Sequence, residues 1–179
     1  QQRRGPIVTN CSTSRMSEDL AAAAGVPFFR SAVGEANVTG AMLEQAAVFG
    51  GEGNGGPIDP RVGYVRDSFV GMALILDALA ARGLRLSQWA DALPRYAMCK
   101  TKFTLDPSRT AAVLDALQAQ FSDAQADRLD GLRLDWPGKW LLVRASNTEP
   151  IVRAIAEAPA QDEAERLCAE AGRVIAAST

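Results

Sequence analysis

The sequence predicts two units in tandem, an α/β unit followed by an α+β unit in which helices flank an antiparallel sheet. Up to Arg30 the chain alternates between strand and helix patterns, a rhythm that favours parallel strands. Three short strand-like runs with tight connections lie near the end of the chain, which favours antiparallel pairing. An amphipathic helix follows these runs.

Local signals place the first elements of the α/β unit. Residues 6–10 are rich in β-formers, and strand character returns over residues 27–30. Between them Ser14 can cap a helix, and Gly25 is placed to end it. Residues 38–48 then have helical spacing.

The rest of the α/β unit consists of a glycine cluster at residues 50–56 and a long apolar helix. Asp67 or Ser68 can cap this helix, and Gly83 is placed to end it. Residues 84–104 read as a connector, with a short helix and a break at Pro94.

The α+β unit starts at a clear helix signal. Asp106 can cap this helix with Pro107 in its first turn, and the helix runs to about Phe121. The remaining elements are strands at residues 131–135, 140–144 and 151–157 and an amphipathic helix at residues 161–177.

The composition excludes several kinds of function. Lys and Arg number 19 against 21 Asp and Glu, so the net charge is −2 and no long basic run offers a nucleic-acid surface. The chain contains no histidine, which removes histidine-dependent catalytic triads and the zinc sites built on histidine. Hydrophobic residues make up 47% of the chain, enough for at least one core.

The cysteines and the apolar runs indicate the cellular compartment of the protein. Cys11, Cys99 and Cys168 are widely separated and odd in number, which suits a reducing compartment better than a disulfide framework. The longest apolar run, residues 69–81, contains Asp77 and is too short to span a bilayer. We therefore expect a cytoplasmic protein with neither membrane nor nucleic-acid partners. Because the chain starts without methionine, we also expect it to be part of a longer protein.

The loop Arg144-Ala145-Ser146-Asn147-Thr148-Glu149-Pro150 is the strongest candidate site. It follows a strand and supplies a guanidinium, two hydroxyls, an amide and backbone N–H groups. A phosphate dianion needs several converging donors, preferably one of them charged and bidentate. The loop therefore suits phosphate, although an ordinary hairpin loop stabilised by Ser146 and Asn147 also fits its composition.

The glycine cluster is a second candidate site. Glu52 and Asn54 offer a carboxylate and an amide on a backbone that is freed from side-chain sterics, which suits a polyhydroxyl ligand. The cluster fits neither the dinucleotide G-x-G-x-x-G motif nor the P-loop, and glycine-rich loops are common in proteins. Its composition alone therefore leaves an ordinary loop open.

Taken in order, four segments resemble the α-D-phosphohexomutase superfamily, which includes phosphoglucomutase, phosphomannomutase and phosphoglucosamine mutase. The segments are Phe-Gly-Gly-Glu-Gly-Asn-Gly-Gly at 49–56, Arg-Asp-Ser at 66–68, Leu-Pro-Arg-Tyr at 93–96, and the Arg144 loop continued by Ile-Val-Arg at 151–153. The resemblance covers nearly the whole chain, and the last segment is the most specific.

The resemblance implies a domain organisation and an activity. In this family three related three-layer α/β/α domains and a smaller fourth domain surround one cleft. The chain then corresponds to a partial domain three at 1–83, a connector at 84–103 and domain four at 104–179. The full enzyme is an isomerase of carbohydrate metabolism that moves a phosphoryl group between the 1 and 6 positions of a hexose phosphate through an enzyme phosphoserine.

The resemblance also implies roles for individual residues. Asn54 replaces the serine usual in the sugar-binding loop of domain three and a glycine replaces its histidine, which leaves the preferred hexose phosphate open. Glu35 resembles a residue that helps to distinguish substrates. The implied sugar-binding residues are Glu35, Glu52, Gly53, Asn54 and Gly55. The implied phosphate-binding residues are Arg144, Ser146, Asn147 and Thr148.

The motifs that carry the family's chemistry do not occur in the chain. The reactive serine belongs to a Thr/Ser-Ala-Ser-His-Asn-Pro loop of domain one, and Mg²⁺ is bound by an Asp-x-Asp-x-Asp-Arg loop of domain two; neither pattern is present. Phosphoryl transfer requires both a positioned nucleophile and charge neutralisation. We therefore expect no mutase activity and no metal site in this chain, and the missing domains one and two as its partners.

Two alternatives of other classes remain open. The chain could be a non-catalytic module that binds sugar phosphates, or a structural or regulatory remnant whose two loops are ordinary turns. The oligomeric state does not follow from the sequence.

Overall fold

The computed structural model describes residues 4–146 and 148–178, and the chain divides into two compact units between Arg95 and Tyr96. The first unit has an α/β fold, and the second is an antiparallel sheet with helices, which confirms the predicted fold class. In the described part of the chain no helix is long and apolar enough to cross a bilayer.

The first unit is built on a four-stranded sheet with the order β2-β1-β3-β4. The strands are β1 (Ile7–Asn10), β2 (Phe28–Ser31), β3 (Phe49–Gly51) and β4 (Pro57–Ile58). β1 pairs in parallel with both β2 and β3, as the strand and helix rhythm predicted for the first pair, and β4 returns antiparallel beside β3. The carboxyl ends of β1, β2 and β3 therefore lie at one edge of the sheet, the edge where open α/β sheets bind ligands.

Four helices accompany this sheet. They are α1 (Met16–Ala24), α2 (Glu35–Glu44), α3 (Ser68–Arg82) and α4 (Leu86–Asp91). α2 begins directly after Gly34, and thus earlier than the helical spacing of residues 38–48 predicted. Its side chains Val38 and Met42 pack with Val8 of β1 in a small apolar core.

The long helix α3 is defined by its ends. Asp67 Oδ1 accepts hydrogen bonds from the N–H groups of Phe69 and Val70 at 2.8 and 3.1 Å, and Gly83 ends the helix in the left-handed conformation at φ +64°. Both ends agree with the prediction. No residue of α3 is fully buried in the described structure, although its two ends are both capped.

The second unit contains a five-stranded antiparallel sheet with the order β5-β9-β8-β7-β6. The strands are β5 (Ala97–Thr104), β6 (Gln125–Asp127), β7 (Leu132–Trp136), β8 (Lys139–Ala145) and β9 (Ile151–Ala158). β7, β8 and β9 are the three predicted strands, and their antiparallel pairing is confirmed. β5 differs from the prediction, because part of the connector predicted at residues 84–103 is an edge strand paired with β9 along its whole length.

Two helices cover one face of this sheet. α5 (Thr110–Gln120) follows a 3-10 turn at Pro107–Arg109, and α6 (Gln161–Ala177) has the predicted bounds. Leu141 and Val143 of β8 face these helices in the largest apolar core of the described chain. Side chains alternate along a strand, so their neighbours Leu142 and Arg144 project from the opposite face.

Cys168 of α6 shows how closed this core is. Its Sγ donates to the carbonyl oxygens of Cys99 and Ala154 at 3.6 and 3.8 Å. Burial is the main reason that the pKa of the Cys168 thiol rises to about 12. The thiol therefore stays protonated and unreactive at neutral pH.

The opposite face carries a buried polar cluster. Arg133 pairs with Asp135 through Nε and Nη2, both at 2.9 Å, and its guanidinium lies 4.2 Å from the centre of the Trp140 ring. Trp140 Nε1 donates to Glu157 Oε1 at 2.9 Å. Each of these polar groups thus has a partner, which offsets the loss of water on burial.

The core of the second unit predicts a stability difference between two leucines. We expect Leu141→Ala to lower the free energy of unfolding by about 2–5 kcal/mol, because the fully buried side chain leaves a cavity. Leu129 is 49% exposed, and Leu129→Ala is the control, with an expected change within about 0.5 kcal/mol. Urea unfolding followed by tryptophan fluorescence measures both, and equal effects would contradict the described packing.

Candidate functional site

The predicted sugar-binding side chains of the first unit meet at the carboxyl edge of its parallel strands, where Arg66 joins them. Arg66 Nε donates to Glu35 Oε2 at 2.9 Å, and Arg66 Nη1 donates to Asn54 Oδ1 at 3.0 Å. The same Nη1 lies 3.1 Å from Glu52 Oε2. Glu35 begins α2, whereas Glu52 and Asn54 lie in the loop between β3 and β4. We call these four residues the Arg66 network.

Glu52 is the most enclosed carboxylate of the Arg66 network, with 4% of its side chain exposed. Its Oε1 accepts hydrogen bonds from Asn10 Nδ2 at 2.7 Å and from the Gly34 N–H at 3.1 Å. An ionised carboxylate has about four lone-pair positions, and these two bonds together with Arg66 take up most of them. Glu52 therefore connects the end of β1, the start of α2 and the β3–β4 loop, and it has little capacity left for a ligand.

Glu35 is more open, with 33% of its side chain exposed. The hydrogen bond from the Arg66 side chain is the main cause that lowers the pKa of the Glu35 carboxyl below its ordinary value. Because the folded-state pKa is lowered, the pair stabilises the fold above the unfolded-state pKa and is lost as the pH falls through the folded-state pKa. At neutral pH Glu35 is thus ionised, and it can accept hydrogen bonds from hydroxyl groups.

The glycines of the β3–β4 loop allow close backbone approach. A Cβ atom added at Gly53 would lie 3.2 Å from the Thr13 Cα, and one added at Gly56 would lie 2.8 Å from the Arg66 Cβ. Gly55 has φ +100°, a backbone conformation that residues other than glycine rarely adopt. The predicted Gly53 and Gly55 therefore shape the loop through their backbone.

Asn10 and Arg66 are two members of this site that the sequence patterns did not predict. Asn10 ends β1, and its Oδ1 accepts from the N–H and the hydroxyl of Ser12 at 3.1 and 2.9 Å and from the Thr13 hydroxyl at 2.8 Å. A polar residue at the carboxyl end of a parallel strand is the signal that could have found it. The pairing of Arg66 with Glu35 spans 31 residues of sequence and leaves no local signal.

The predicted phosphate-binding loop connects β8 to β9 in the second unit. The Ser146 N–H donates to the Ile151 carbonyl oxygen at 2.9 Å, which closes the loop. The Ser146 and Thr148 hydroxyl oxygens are 3.5 Å apart, and the Thr148 N–H donates to Ser146 Oγ at 3.4 Å. Both hydroxyls thus lie together just beyond Arg144. Asn147, the fourth predicted residue, lies outside the described residues.

Strand register places three basic residues in one row beside this loop. Arg144 of β8 pairs with Arg153 of β9, and Arg153 pairs with Lys102 of β5. Residues directly opposite each other project from the same face of a sheet, and like charges in such positions destabilise it. This basic row, Lys102–Arg153–Arg144, is therefore a favourable place for an anion. The sequence did not predict roles for Lys102 and Arg153, because both depend on the pairing of β5 and β9.

Two carboxylates border the basic row. Asp130 Oδ2 lies 3.0 Å from Arg144 Nε, and Glu149 Oε2 lies 3.6 Å from Arg153 Nη2. Arg144 is largely enclosed, with 13% of its side chain exposed, whereas Arg153 is 47% exposed. Arg144 is thus the more enclosed donor, and Arg153 adds charge at the surface.

The site residues do not fit a metal ion. Over residues 4–146 and 148–178, no group of three or more His, Cys, Asp or Glu side chains is arranged to hold one. The Arg144 loop offers guanidinium, hydroxyl and N–H donors, and these suit an anion.

Comparison with known proteins identifies the family to which the two units belong. The family model described as phosphoglucomutase/phosphomannomutase, alpha/beta/alpha domain III, matches residues 1–96, and the model of the C-terminal domain matches residues 101–173. The chain belongs to the phosphoglucomutase/phosphomannomutase family. This result confirms the resemblance and the identification of the chain with domains three and four.

Individual relatives agree with the family match. The chain is 36% identical over 161 residues to a phosphoglucomutase/phosphomannomutase of Thermococcus kodakarensis, covering 89% of this chain and 35% of that protein. It is 31% identical over 174 residues to a phosphoglucosamine/phosphogalactosamine mutase of Sulfurisphaera tokodaii, covering 94% of this chain and 38% of that protein. The chain thus spans little more than a third of the length of these relatives.

Solved structures share the fold at lower identity. A phosphoglucomutase/phosphomannomutase family protein of Burkholderia thailandensis superposes with a TM-score of 0.80 at 24% identity, covering 97% of this chain and 37% of that one. An N-acetylphosphoglucosamine mutase of Aspergillus fumigatus, solved with GlcNAc-6P and magnesium, gives 0.69 at 16% identity, covering 97% and 39%. At these identities the comparison supports the fold.

The Arg66 network predicts a stability role for Glu52. We expect Glu52→Gln to lower the free energy of unfolding by about 1–3 kcal/mol, because the amide loses the charge-assisted contact with Arg66 and keeps a buried polar group. Glu44 is exposed at the end of α2, so Glu44→Gln is the control that should change little. Chemical unfolding monitored by circular dichroism tests this, and no difference between the two variants would contradict the role as an organiser.

Proposed function

We propose that this chain is the substrate-holding part of a phosphohexomutase. In this proposal the Arg144 loop of the second unit binds the phosphate of a hexose phosphate, and the Arg66 network of the first unit binds sugar hydroxyls. The observation that carries the proposal is the basic row beside the paired hydroxyls of Ser146 and Thr148. A non-catalytic sugar-phosphate-binding module is the alternative, and it would use the same ligand.

The chemistry of the second unit favours a phosphate dianion over a carboxylate. Arg144 can give two parallel N–H bonds to phosphate oxygens, and such charge-assisted bonds are about twice as strong as neutral ones. Ser146 and Thr148 add two hydroxyl donors on the same loop. Arg153 adds a second positive charge directly across the strand pair, which matches the second negative charge of a phosphate.

The chemistry of the first unit favours hydroxyl groups over phosphate. Its network contains the carboxylates of Glu35 and Glu52 and one guanidinium, that of Arg66, so its local charge is negative. Ionised Glu35 can accept bonds from sugar hydroxyls, and the exposed Asn54 amide can donate to them. Glu52 holds Arg66 through their ion pair, and Gly53 and Gly55 let the backbone approach the sugar.

For the whole protein we propose phosphoryl transfer between the 1 and 6 oxygens of a hexose phosphate. The reaction is an isomerisation, because the phosphoryl group lost from one oxygen is gained by the other. The reactive serine and Mg²⁺ would come from domains outside this chain, and this chain by itself would bind substrate without converting it. The names of the relatives support gluco-, manno- and glucosamine phosphates as candidates. A charged sugar phosphate does not cross membranes unaided, so the proposed location is the cytoplasm.

The first test removes the bidentate donor. We expect Arg144→Ala to weaken glucose 6-phosphate binding by roughly 10- to 150-fold, because a hydrogen bond to a charged group contributes about 1.5–3 kcal/mol. Titration by calorimetry or by NMR at millimolar ligand measures the change. Glucosamine and mannose 6-phosphates, titrated in parallel, rank the sugars.

A matched arginine controls for general effects of charge. Arg128 pairs with Asp115 of α5 on the helix-covered side of the second unit. Arg128→Ala removes the same charge and should leave affinity within about twofold after correction for screening. Equal affinity of the Arg144→Ala variant and the unsubstituted chain would overturn the proposed phosphate site.

The second test uses the like-charge pair in the basic row. We expect Arg153→Gln to weaken glucose 6-phosphate binding by about 3- to 10-fold, since it removes a surface charge next to the phosphate. The same substitution should leave the free energy of unfolding unchanged or raise it by up to about 1 kcal/mol, because Arg144 and Lys102 are relieved of a like charge.

A surface arginine separates the two effects. Arg166 lies on α6, is 72% exposed and pairs with Asp162 one helical turn away. Arg166→Gln should change neither affinity nor stability by more than about 0.5 kcal/mol. An Arg153→Gln variant that binds normally would contradict the role of Arg153 in phosphate binding, and a variant that unfolds more easily would contradict the predicted like-charge repulsion.

A further inference from the structure

We infer that Asp130 is a positioning residue that holds the guanidinium of Arg144 in the orientation that binds phosphate. This inference rests on the proposed function of the Arg144 loop. Asp130 lies in the connection between β6 and β7, outside the motif that carries the family resemblance. A carboxylate beside an anion site needs a reason, since its charge repels the ligand.

The contact between the two side chains is short and well enclosed. Asp130 Oδ2 lies 3.0 Å from Arg144 Nε, and the two side chains are 18% and 13% exposed. The Nε atom itself is buried, and among the described residues it makes no well-aligned hydrogen bond. The 3.0 Å distance therefore indicates an ion pair rather than a linear hydrogen bond. This ion pair offsets the loss of hydration at the buried Nε atom.

The backbone fixes the position of Asp130. Gly131, the next residue, has φ +81°, and a Cβ atom added there would lie 2.4 Å from the Val143 carbonyl oxygen and 2.8 Å from the Arg144 Cα. Only a glycine permits so close an approach of the β6–β7 connection to β8. The chain thus brings the carboxylate to the base of the Arg144 side chain by backbone contact, independently of any ligand.

The edge of the guanidinium that Asp130 occupies explains how it would act. A guanidinium can bind an oxyanion through its Nε–Nη edge or through its Nη–Nη edge. Asp130 faces Nε, so a phosphate is directed to the Nη–Nη edge. With this edge presented, less conformational freedom is lost when the ligand binds.

The sign of one measurement separates positioning from simple charge repulsion. If Asp130 acted on phosphate only through its charge, Asp130→Asn would strengthen binding, because a repulsive carboxylate would be gone. If Asp130 positions Arg144, the same substitution weakens binding although it removes a like charge. We expect the dissociation constant of the 179-residue chain for glucose 6-phosphate to rise by roughly 3- to 20-fold, which lies within the range of coupling between contacting residues.

A double-substitution cycle tests whether the effect passes through Arg144. In an Arg144→Ala background we expect Asp130→Asn to leave the dissociation constant unchanged or to lower it, because there is no longer a guanidinium to orient. NMR titration reaches the millimolar range that this background requires. The Nε–Hε resonance of Arg144 gives a readout without ligand, and it should lose its protection from solvent exchange in Asp130→Asn.

Two further variants complete the experiment. Asp130→Glu keeps the charge and should restore part of the affinity and of the Nε–Hε protection. Asp115→Asn is the matched control, because it removes an aspartate that pairs with Arg128 of the same unit at 2.7 Å. This control should leave both readouts unchanged.

The outcomes distinguish this inference from the function on which it rests. If the unsubstituted chain binds glucose 6-phosphate and the Asp130→Asn variant binds it equally or more tightly, the positioning role is overturned. The proposed phosphate site is not affected by that result. The same loss in both the Arg144 and the Arg144→Ala backgrounds would also overturn it. No binding by the unsubstituted chain, or binding that ignores Arg144→Ala, would overturn the proposed function and this inference together.

Discussion

The pairing of β8 with β9 is the constraint on which the second unit depends. Side chains alternate along β8, so the register that turns Leu141 and Val143 toward α5 and α6 also turns Arg144 to the other face. A slip of one residue would bury Arg144 among the apolar side chains and turn Leu141 and Val143 away from α5 and α6. The apolar core therefore fixes the position of the basic row, independently of the conformation of the Arg144 loop.

The same strand pairing sets the stability of the sheet against the proposed binding of phosphate. Arg153 stands opposite both Arg144 and Lys102, and like-charged cross-strand pairs destabilise a sheet by up to about 1 kcal/mol each. A single fully buried leucine such as Leu141 stabilises the fold by about 1.5–3 kcal/mol, so the core outweighs the repulsion. The sheet can thus carry the proposed anion site beside its core, and Asp130 and Glu149 reduce the local excess of charge.

The elements that the sequence predicted are those with local signals. The caps of α3, the bounds of α6 and the antiparallel strands β7 to β9 follow from residues within a few positions of one another. β5 was taken for a connector because it follows Pro94, although Cys99 and Phe103 on the core side alternate with Lys100 and Lys102. The Arg66 network joins strands and loops that are far apart in sequence, and only the fold brings them together.

The contacts of Glu52 indicate a structural role beside its predicted role as a sugar ligand. A carboxylate on a glycine loop suggests a direct ligand for sugar hydroxyls, yet Glu52 is nearly enclosed and bonded to Asn10, Gly34 and Arg66. Its negative charge still matters, because with Glu35 it outweighs Arg66 and makes the strand ends unfavourable for phosphate. The second unit has the opposite local charge at its basic row. The two units thus differ in local charge, and this difference agrees with the proposal that the second unit binds phosphate and the first unit binds hydroxyl groups.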